Sequence, residues 1–379
     1  MTRTGVWLVG GRGSVATTAM VGAAAVAAGA ARPEGMVTAS AGFDQARLAP
    51  VDDLVFGGQD VVSTPLVKRA EQLAQGGVFP APLVGVVEDR LSVLDERVRT
   101  CPAAGDTSPR TAVDAMRHDL HAFRAAEDVE RLVVVNLAST EAPAAWEQPP
   151  LRTEDLDRSF DAGWDAATPS LVAAIAALEA GAAFVDFTPG AALTAPAVLA
   201  LAEERGLPVA GRDGKTGETL LKSVLAPMFA HRHLPVHSWA GTNLLGGGDG
   251  ARLADPAHAS SKLASKGRTL ETILGPDVTQ PVHIDCVPDL GEWKTAWNHV
   301  HFTGFLGTGM QLQLTWQGCD SALAAPLVLD LARLLDLALQ RGDRGAQAGL
   351  GYFFKDPVGT DDHGFWSQLS TLERWVAGA

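Results

Sequence analysis

The sequence predicts an α/β protein: a doubly wound parallel sheet with an α+β domain inserted into it. Three observations predict this class. A glycine turn joins a short apolar run to a helix former near the amino terminus. Apolar runs then alternate with helix-forming segments, the rhythm of parallel strands covered by helices on both faces. Beyond about Leu220 the rhythm stops, and runs with strict apolar–polar alternation replace it.

Taken in order, GVWLVG (5–10) is a strand ending in glycine, and SVATTAMVGAAAVAAG (14–29) is a helix stopped by Gly29. EGMVTAS (34–40) is expected as the second strand. Residues 44–128 break the pattern with VFGGQDV, several prolines and a helical patch near AVDAMRHDLHAF, and are expected as a long insertion. RLVVVNLAS (131–139), AAFVDFTP (182–189) and LPVAGRDG (207–214) read as strands. TPSLVAAIAALEAG (168–181) and APAVLALAEERG (195–206) read as helices between them. LPVHSWAGTNLL (234–245), QPVHIDCVPDL (280–290) and MQLQLTWQG (310–318) read as strands of another sheet. In the last, Met310, Leu312, Leu314 and Trp316 alternate with Gln311, Gln313 and Thr315, which marks one apolar face and commonly an antiparallel sheet. DSALAAPLVLDLARLLDLALQRG (320–342) returns to helix. The expected division is 1–219 with 323–379 for the first domain and 220–322 for the inserted one.

Composition narrows the function. The formal net charge of −14 argues against general binding of nucleic acid or anionic membrane, so an anionic ligand must meet a local cluster of cations. Cys101, Cys286 and Cys319 form no CxxC pair and fit a reducing cytoplasm. The Ala- and Gly-rich run TTAMVGAAAVAAGAA is too short to span a bilayer, which takes about 20 apolar residues.

Gly10-Gly11-Arg12-Gly13-Ser14-Val15 follows the first strand and opens the first helix, and from Gly11 it reads GxGxxA. Such glycines let the backbone turn tightly and approach a diphosphate that rests on the helix N-terminus, the Rossmann-type arrangement. The bland alternative is a tight β–α turn. Asp44 is a candidate ribose partner, although it follows Gly42 and lies late. In NLASTE, Ala138, Ser139 and Thr140 follow another strand and are placed to reach the same cofactor, or else form an ordinary polar turn.

GRDGKTGETLLK carries Asp213 at a strand end, while Glu218 and Lys222 are expected on a solvated helix face. TNLLGGGDG supplies Asn243, Leu244, Leu245, Gly246 and Asp249, a loop able to present N–H groups to an oxyanion. SSKLASKGR brings Lys262 and Lys266 within one helical turn of each other, a spacing at which like charges repel unless they face an anion. Lys294 is expected between a strand and a helix. Lys355 follows three ring side chains, and aromatic surroundings dry a lysine and make it a usable acid or base. Convergence of all four ammonium groups is the sharp expectation; scattered surface cations are the plain one. Asp285, Asp289 and Glu292 could offer oxygen ligands to a divalent cation, but are expected as scattered surface acids.

The stretches VWLVGGRGSVATTAMVG, NLASTE, GRDGKTGETLLKSVLAPMFA, NLLGGGDG, SKLASK, VHFTGFLG, DSALAAPLVLDLARLL and YFFKDP together resemble myo-inositol-1-phosphate synthases of the short archaeal and actinobacterial style. The resemblance implies a Rossmann domain with an inserted catalytic domain that builds a homotetramer, and NAD as a tightly held cofactor. The implied reaction is internal oxidation of a hexose 6-phosphate, enolisation, intramolecular aldol closure and re-reduction, from glucose 6-phosphate to 1D-myo-inositol 3-phosphate. It also implies that Lys266 and Lys294 contact phosphate or enolate, and that Lys262 and Lys355 handle protons at the C5 oxygen. Asp213, Asp320 and Ser321 match positions near the nicotinamide. Trp293 departs from the family pattern, and an indole beside a catalytic lysine would reshape a sugar pocket. The alternatives are therefore a related carbocyclase that closes a five-membered ring from fructose 6-phosphate, or an NAD-sensing binding protein without catalysis.

Overall fold

The computed structural model describes residues 3–246 and 268–378. Seven strands form one parallel sheet: β1 (Thr4–Val9), β2 (Leu54–Asp60), β3 (Val98–Thr100), β4 (Arg131–Asn136), β5 (Ala183–Asp186), β6 (Pro208–Gly211) and, after the second sheet, a short last strand, Gly345–Ala346. Their spatial order is last strand–β6–β5–β4–β1–β2–β3, so the winding direction reverses between β1 and β4. A ligand crevice opens there, beyond the carboxyl ends of the strands.

Both faces of this sheet are covered, as its sequence pattern requires. Val6 and Leu8 of β1, with Val133 and Val135 of β4, pack on α1 (Ser14–Ala27), α3 (Pro82–Asp95) and α9 (Asp320–Arg341). Trp7, Leu132 and Val134 point the other way, onto α4 (Pro109–Ala126) and α6 (Pro169–Glu179). Strands buried on both sides read as continuous apolar runs, which is why RLVVVN stands out in the sequence.

The second sheet has four strands in the order β10 (Gly309–Cys319), β9 (Trp293–Thr303), β7 (Val236–Leu245) and β8 (Val282–Cys286). β9 is antiparallel to both β10 and β7, and β8 is parallel to β7. One face packs on α8 (Gly217–His231) through Phe229, Trp239 and Val300. The alternation expected for β10 holds from Gln311 onward: Leu312, Leu314 and Trp316 are partly buried, while Gln311, Gln313 and Thr315 are exposed; Met310, near the hairpin end, is exposed as well.

Three expectations need correction. Residues 34–40 are not a strand. The amides of Val37 and Thr38 donate to the Asp330 carboxylate of α9, at 2.7 and 3.2 Å, instead of to a neighbouring strand. The second strand is Leu54–Asp60, which pairs with β1 from Thr4↔Leu54 onward. The segment 44–128 thus supplies β2, β3, α2 (Leu66–Gln75), α3 and α4 to the sheet and its cover. Finally, Lys294 lies within a strand, β9, and not ahead of a helix.

Candidate active site

The glycine turn sits at the carboxyl end of β1. The N–H groups of Gly10 and Gly11 both donate to Gln59 O of β2, at 2.9 and 3.0 Å. Gly10 has φ +81°, and a Cβ there would lie 2.9 Å from Leu137 O and 3.0 Å from Ala138 N. Only glycine tolerates both conditions, so the turn and the Ala138–Thr140 loop are pressed together. Ser139 of that loop is exposed and Thr140 is buried. The N-cap of α1 is Gly13, with no side-chain cap and no acid in the first turn. Its first amides, at Ser14 and Val15, are therefore the kind of donor set that accepts a diphosphate, and the residues fit a dinucleotide.

Asp44 does not belong to this edge. It is exposed on the connection that precedes β2, because the strand it was expected to end is absent. The acid at the carboxyl end of β2 is Asp60, whose Oδ2 accepts from the Arg12 amide at 2.8 Å. Asp60 holds the position from which a dinucleotide fold grips ribose. Sequence reasoning missed it because the Gly57-Gly58 pair weakened the strand signal. The Arg12 guanidinium is turned inward: it donates to Thr64 O at 2.8 Å and Val98 O at 3.0 Å, and pairs with Asp95. It is a brace for the strand ends.

A second group gathers on the turn between β6 and α8. Asp213 has φ +61°, an uncommon conformation for a residue with a side chain and one that Asp tolerates better than most. Its carboxylate accepts from Lys355 Nζ at 2.7 Å, and both residues are buried. Backbone bonds tie the two segments, with the Lys355 amide donating to Asp213 O at 2.7 Å. Four residues on, Gly217 has φ +53°, and a Cβ there would meet Lys294 Nζ at 3.3 Å and Asp320 Oδ1 at 3.7 Å. Lys294 Nζ pairs with Asp320 Oδ2 at 2.6 Å, and Thr216 Oγ1 donates to Asp320 Oδ1 at 3.4 Å. Asp320 opens α9, where the helix dipole favours a carboxylate. Ser321 beside it is buried and donates to Glu292 Oε2 at 3.4 Å.

The structure thus brings Lys294, Lys355, Asp213 and Asp320 to one turn at the carboxyl edge. Lys262, Lys266 and Asp249 lie outside the described residues. Asn243 is fully buried on β7, and neither side-chain amide atom has a partner among the described residues. Leu244 is partly buried, Leu245 is buried, and the Gly246 amide donates to Trp293 O at 3.4 Å.

Glu218 and Lys222 are not on a solvated face. They are 2% and 1% exposed and form an ion pair of 3.0 Å beneath the four-stranded sheet. The closure depends on Gly241: a Cβ there would lie 2.9 Å from Glu218 Oε1. Glu292 is also no stray surface acid. Its Oε1 accepts from Ser14 Oγ at 3.2 Å and Arg69 Nη2 at 3.3 Å. Trp293 points away from Lys294, as strand alternation requires, and its Nε1 donates to Gly76 O at 3.1 Å.

Comparison with known proteins gives one consistent result. A family model described as Myo-inositol-1-phosphate synthase matches residues 4–377. Inositol-3-phosphate synthase 1 of Bacteroides thetaiotaomicron is 33% identical over 99% of this chain and 94% of its own. The Bos taurus protein of the same name is 31% identical over 76% of this chain, a match spanning 55% of that protein. Among solved structures, inositol-3-phosphate synthase of Caenorhabditis elegans superposes with a TM-score of 0.87 at 23% identity, covering 99% of this chain and 85% of that one. A myo-inositol-1-phosphate synthase-related protein of Thermotoga maritima gives a TM-score of 0.78 at 23% identity, over 99% and 98% of the two chains. At that identity the superpositions speak for the fold.

Proposed function

The chain belongs to the myo-inositol-1-phosphate synthase family, an NAD-dependent isomerase family, and from that premise we propose that it cyclises glucose 6-phosphate to 1D-myo-inositol 3-phosphate. The observation that carries the reading is the pair of lysine–carboxylate contacts, Lys294–Asp320 and Lys355–Asp213, on one turn at the sheet's carboxyl edge.

NAD supplies the reversible removal of a hydride from C5 of the sugar. The protein's own groups do the rest. Lys355, buried and held by Asp213, relays the proton of the C5 hydroxyl: its ammonium gives a proton to the Asp213 carboxylate, takes up the hydroxyl proton as the ketone forms, and the transfer reverses on re-reduction. The ketone acidifies C6–H, and loss of that proton leaves an enolate whose negative oxygen lies within reach of a preorganised ammonium. Lys294, fixed by Asp320, is that ammonium. A fixed cation in a dry site stabilises developing charge far better than water does. The enolate carbon then bonds to C1, and the C1 oxygen takes up one proton, matching the one released from C6, so that enolisation and ring closure together are proton-neutral. In this reading Lys266 contacts the phosphate and Lys262 shares the proton handling at the C5 oxygen.

Trp293 faces Gly76 and so gives no reason to prefer a smaller ring. The three thiols are free, which supports a cytoplasmic enzyme. Exposed Trp297, Phe305, Leu306 and Met310 on the four-stranded sheet support its burial in a homotetramer.

The test is incubation with NAD⁺ and either glucose 6-phosphate or fructose 6-phosphate, with the product ring identified by NMR. A six-membered cyclitol phosphate from glucose 6-phosphate, without NADH accumulation, is expected. Lys294→Ala should lower kcat by about a hundredfold or more. A five-membered product, net NADH, or normal turnover by that variant would count against the proposal.

A further inference from the structure

Asp213 and Lys355 each have a charged neighbour in the chain that the reaction as written does not use. Arg212 precedes Asp213, and Asp356 follows Lys355. The two segments lie side by side and antiparallel. The Arg212 amide donates to Asp356 O at 2.9 Å, and the Asp356 amide returns a bond to Arg212 O at 3.2 Å. The Lys215 amide donates to Phe353 O at 2.8 Å, and Gly214 stands opposite Phe354. In such a pairing, neighbours in the chain point to opposite sides. Lys355 and Asp213 meet on one side, and the Arg212 guanidinium pairs with Asp356 Oδ2 on the other.

The second oxygen of Asp356 is engaged as well. Arg268 Nη1 donates to Oδ1 at 2.8 Å, and Arg268 lies two residues beyond Lys266 in the chain. Arg212 is anchored in turn, its Nη1 donating to Pro189 O at 3.0 Å and Gly190 O at 3.3 Å, just past β5. The Arg212 and Asp356 side chains are each only 13% exposed, so water weakens this pair little. Charge-assisted bonds of this kind also fix orientation. A carboxylate adjoining Lys355 without partners of its own would compete with Asp213 for the ammonium.

We propose that Asp356 is a positioning residue for Lys355. Held between Arg212 and Arg268, it locks residues 353–356 against 212–215 and leaves Asp213 as the carboxylate to which Lys355 answers. The same carboxylate ties the chain that follows Lys266 to the turn that presents Lys355. The proposal deepens the reading of Lys355 as proton relay, and only its kinetic arm rests on that reading.

Lysine acylation of the full chain with acetic anhydride, read peptide by peptide by mass spectrometry, tests the proposal with no substrate present. Asp356→Asn keeps the shape of the side chain and removes its charge. It should speed the labelling of Lys355 by about tenfold, because local opening becomes easier. Lys222, buried under the four-stranded sheet, should label as slowly as before. Should Lys222 also become reactive, the variant has loosened globally, and Arg268→Ala serves in its place; that side chain is 46% exposed, and a rise of roughly threefold at Lys355 is expected. In turnover, Asp356→Asn should lower kcat by about tenfold and leave KM within about twofold, since Asp356 touches no substrate. Adding Arg212→Ala should cost no more than the costlier single change, as for residues that act as one unit. Unchanged labelling of Lys355 in the variant, or single losses that multiply in the double variant, overturns the proposal. A wild-type enzyme that turns over neither hexose phosphate sinks the reaction instead, and the labelling result still decides the role of Asp356.

Discussion

Asp186 ends β5 with no exposure to solvent, and burial pushes its carboxyl up to about 7. Its Oδ1 accepts from Asn136 Nδ2, Thr188 N and Thr188 Oγ1, at 3.1, 3.1 and 2.7 Å, which offsets only part of the desolvation. A carboxyl raised in the folded state stabilises fully below its unfolded value of 3.8. That contribution is lost as pH rises towards about 7. Denaturant unfolding of wild type and Asp186→Asn between these limits should therefore show the balance swinging towards the variant, by up to about 4 kcal/mol. A pH-independent difference would contradict it. Lys215 behaves in the mirror sense. Burial lowers it to about 7, it is bonded to Gln368, and it lies over the Tyr352 ring. At this scale Gly10, Asp213, Lys294 and Lys355 were legible in the sequence, because their motifs name a chemical demand. The buried Glu218–Lys222 pair was not. Whether a helix face is wet depends on what covers it, and the cover is a distant strand thinned by Gly241.

Among elements, the turn between β1 and α1 is the most constrained. Gly10→Ala would place a side chain at φ +81° and against Leu137 O. The backbone cost alone is about 1–2 kcal/mol. Thermal melts should show lower stability and a smaller stabilisation by added NAD⁺, and an unaltered NAD⁺ effect would mean that the turn does not hold the cofactor. Strands buried on both faces, such as β4, announced themselves. β2 did not, because its two glycines depress the strand signal while the packing demands them. A Cβ at Gly57 would lie 2.7 Å from the Phe123 ring, and one at Gly58 would lie 2.5 Å from Leu8 O. β9 hid for another reason: it places Asn298 on its buried face, where the Trp239 indole N–H donates to it at 2.8 Å. A polar residue with a tertiary partner looks, in the sequence alone, like the end of a strand.

For the molecule as a whole, the chain leaves the seven-stranded sheet at Thr216–Gly217 and returns at Cys319–Asp320, and these crossings touch through Thr216 and Asp320. The β9–β10 hairpin starts there, with Trp293 opposite Cys319, and ends at Thr303 opposite Gly309. Eleven residues of strand reach about 35 Å. Phe305 and Leu306, at the far end, are 85% and 88% exposed. Hydrogen exchange should therefore be slower for amides in the base half of β9 and β10 than beside the tip, and uniform protection along the hairpin would contradict this. The strand that carries Lys294 is thus an interior one, paired on both sides from its base to within a residue or two of the exposed tip. A neighbour covering Phe305 and Leu306 would press on the same strand that holds the Lys294–Asp320 contact at its other end.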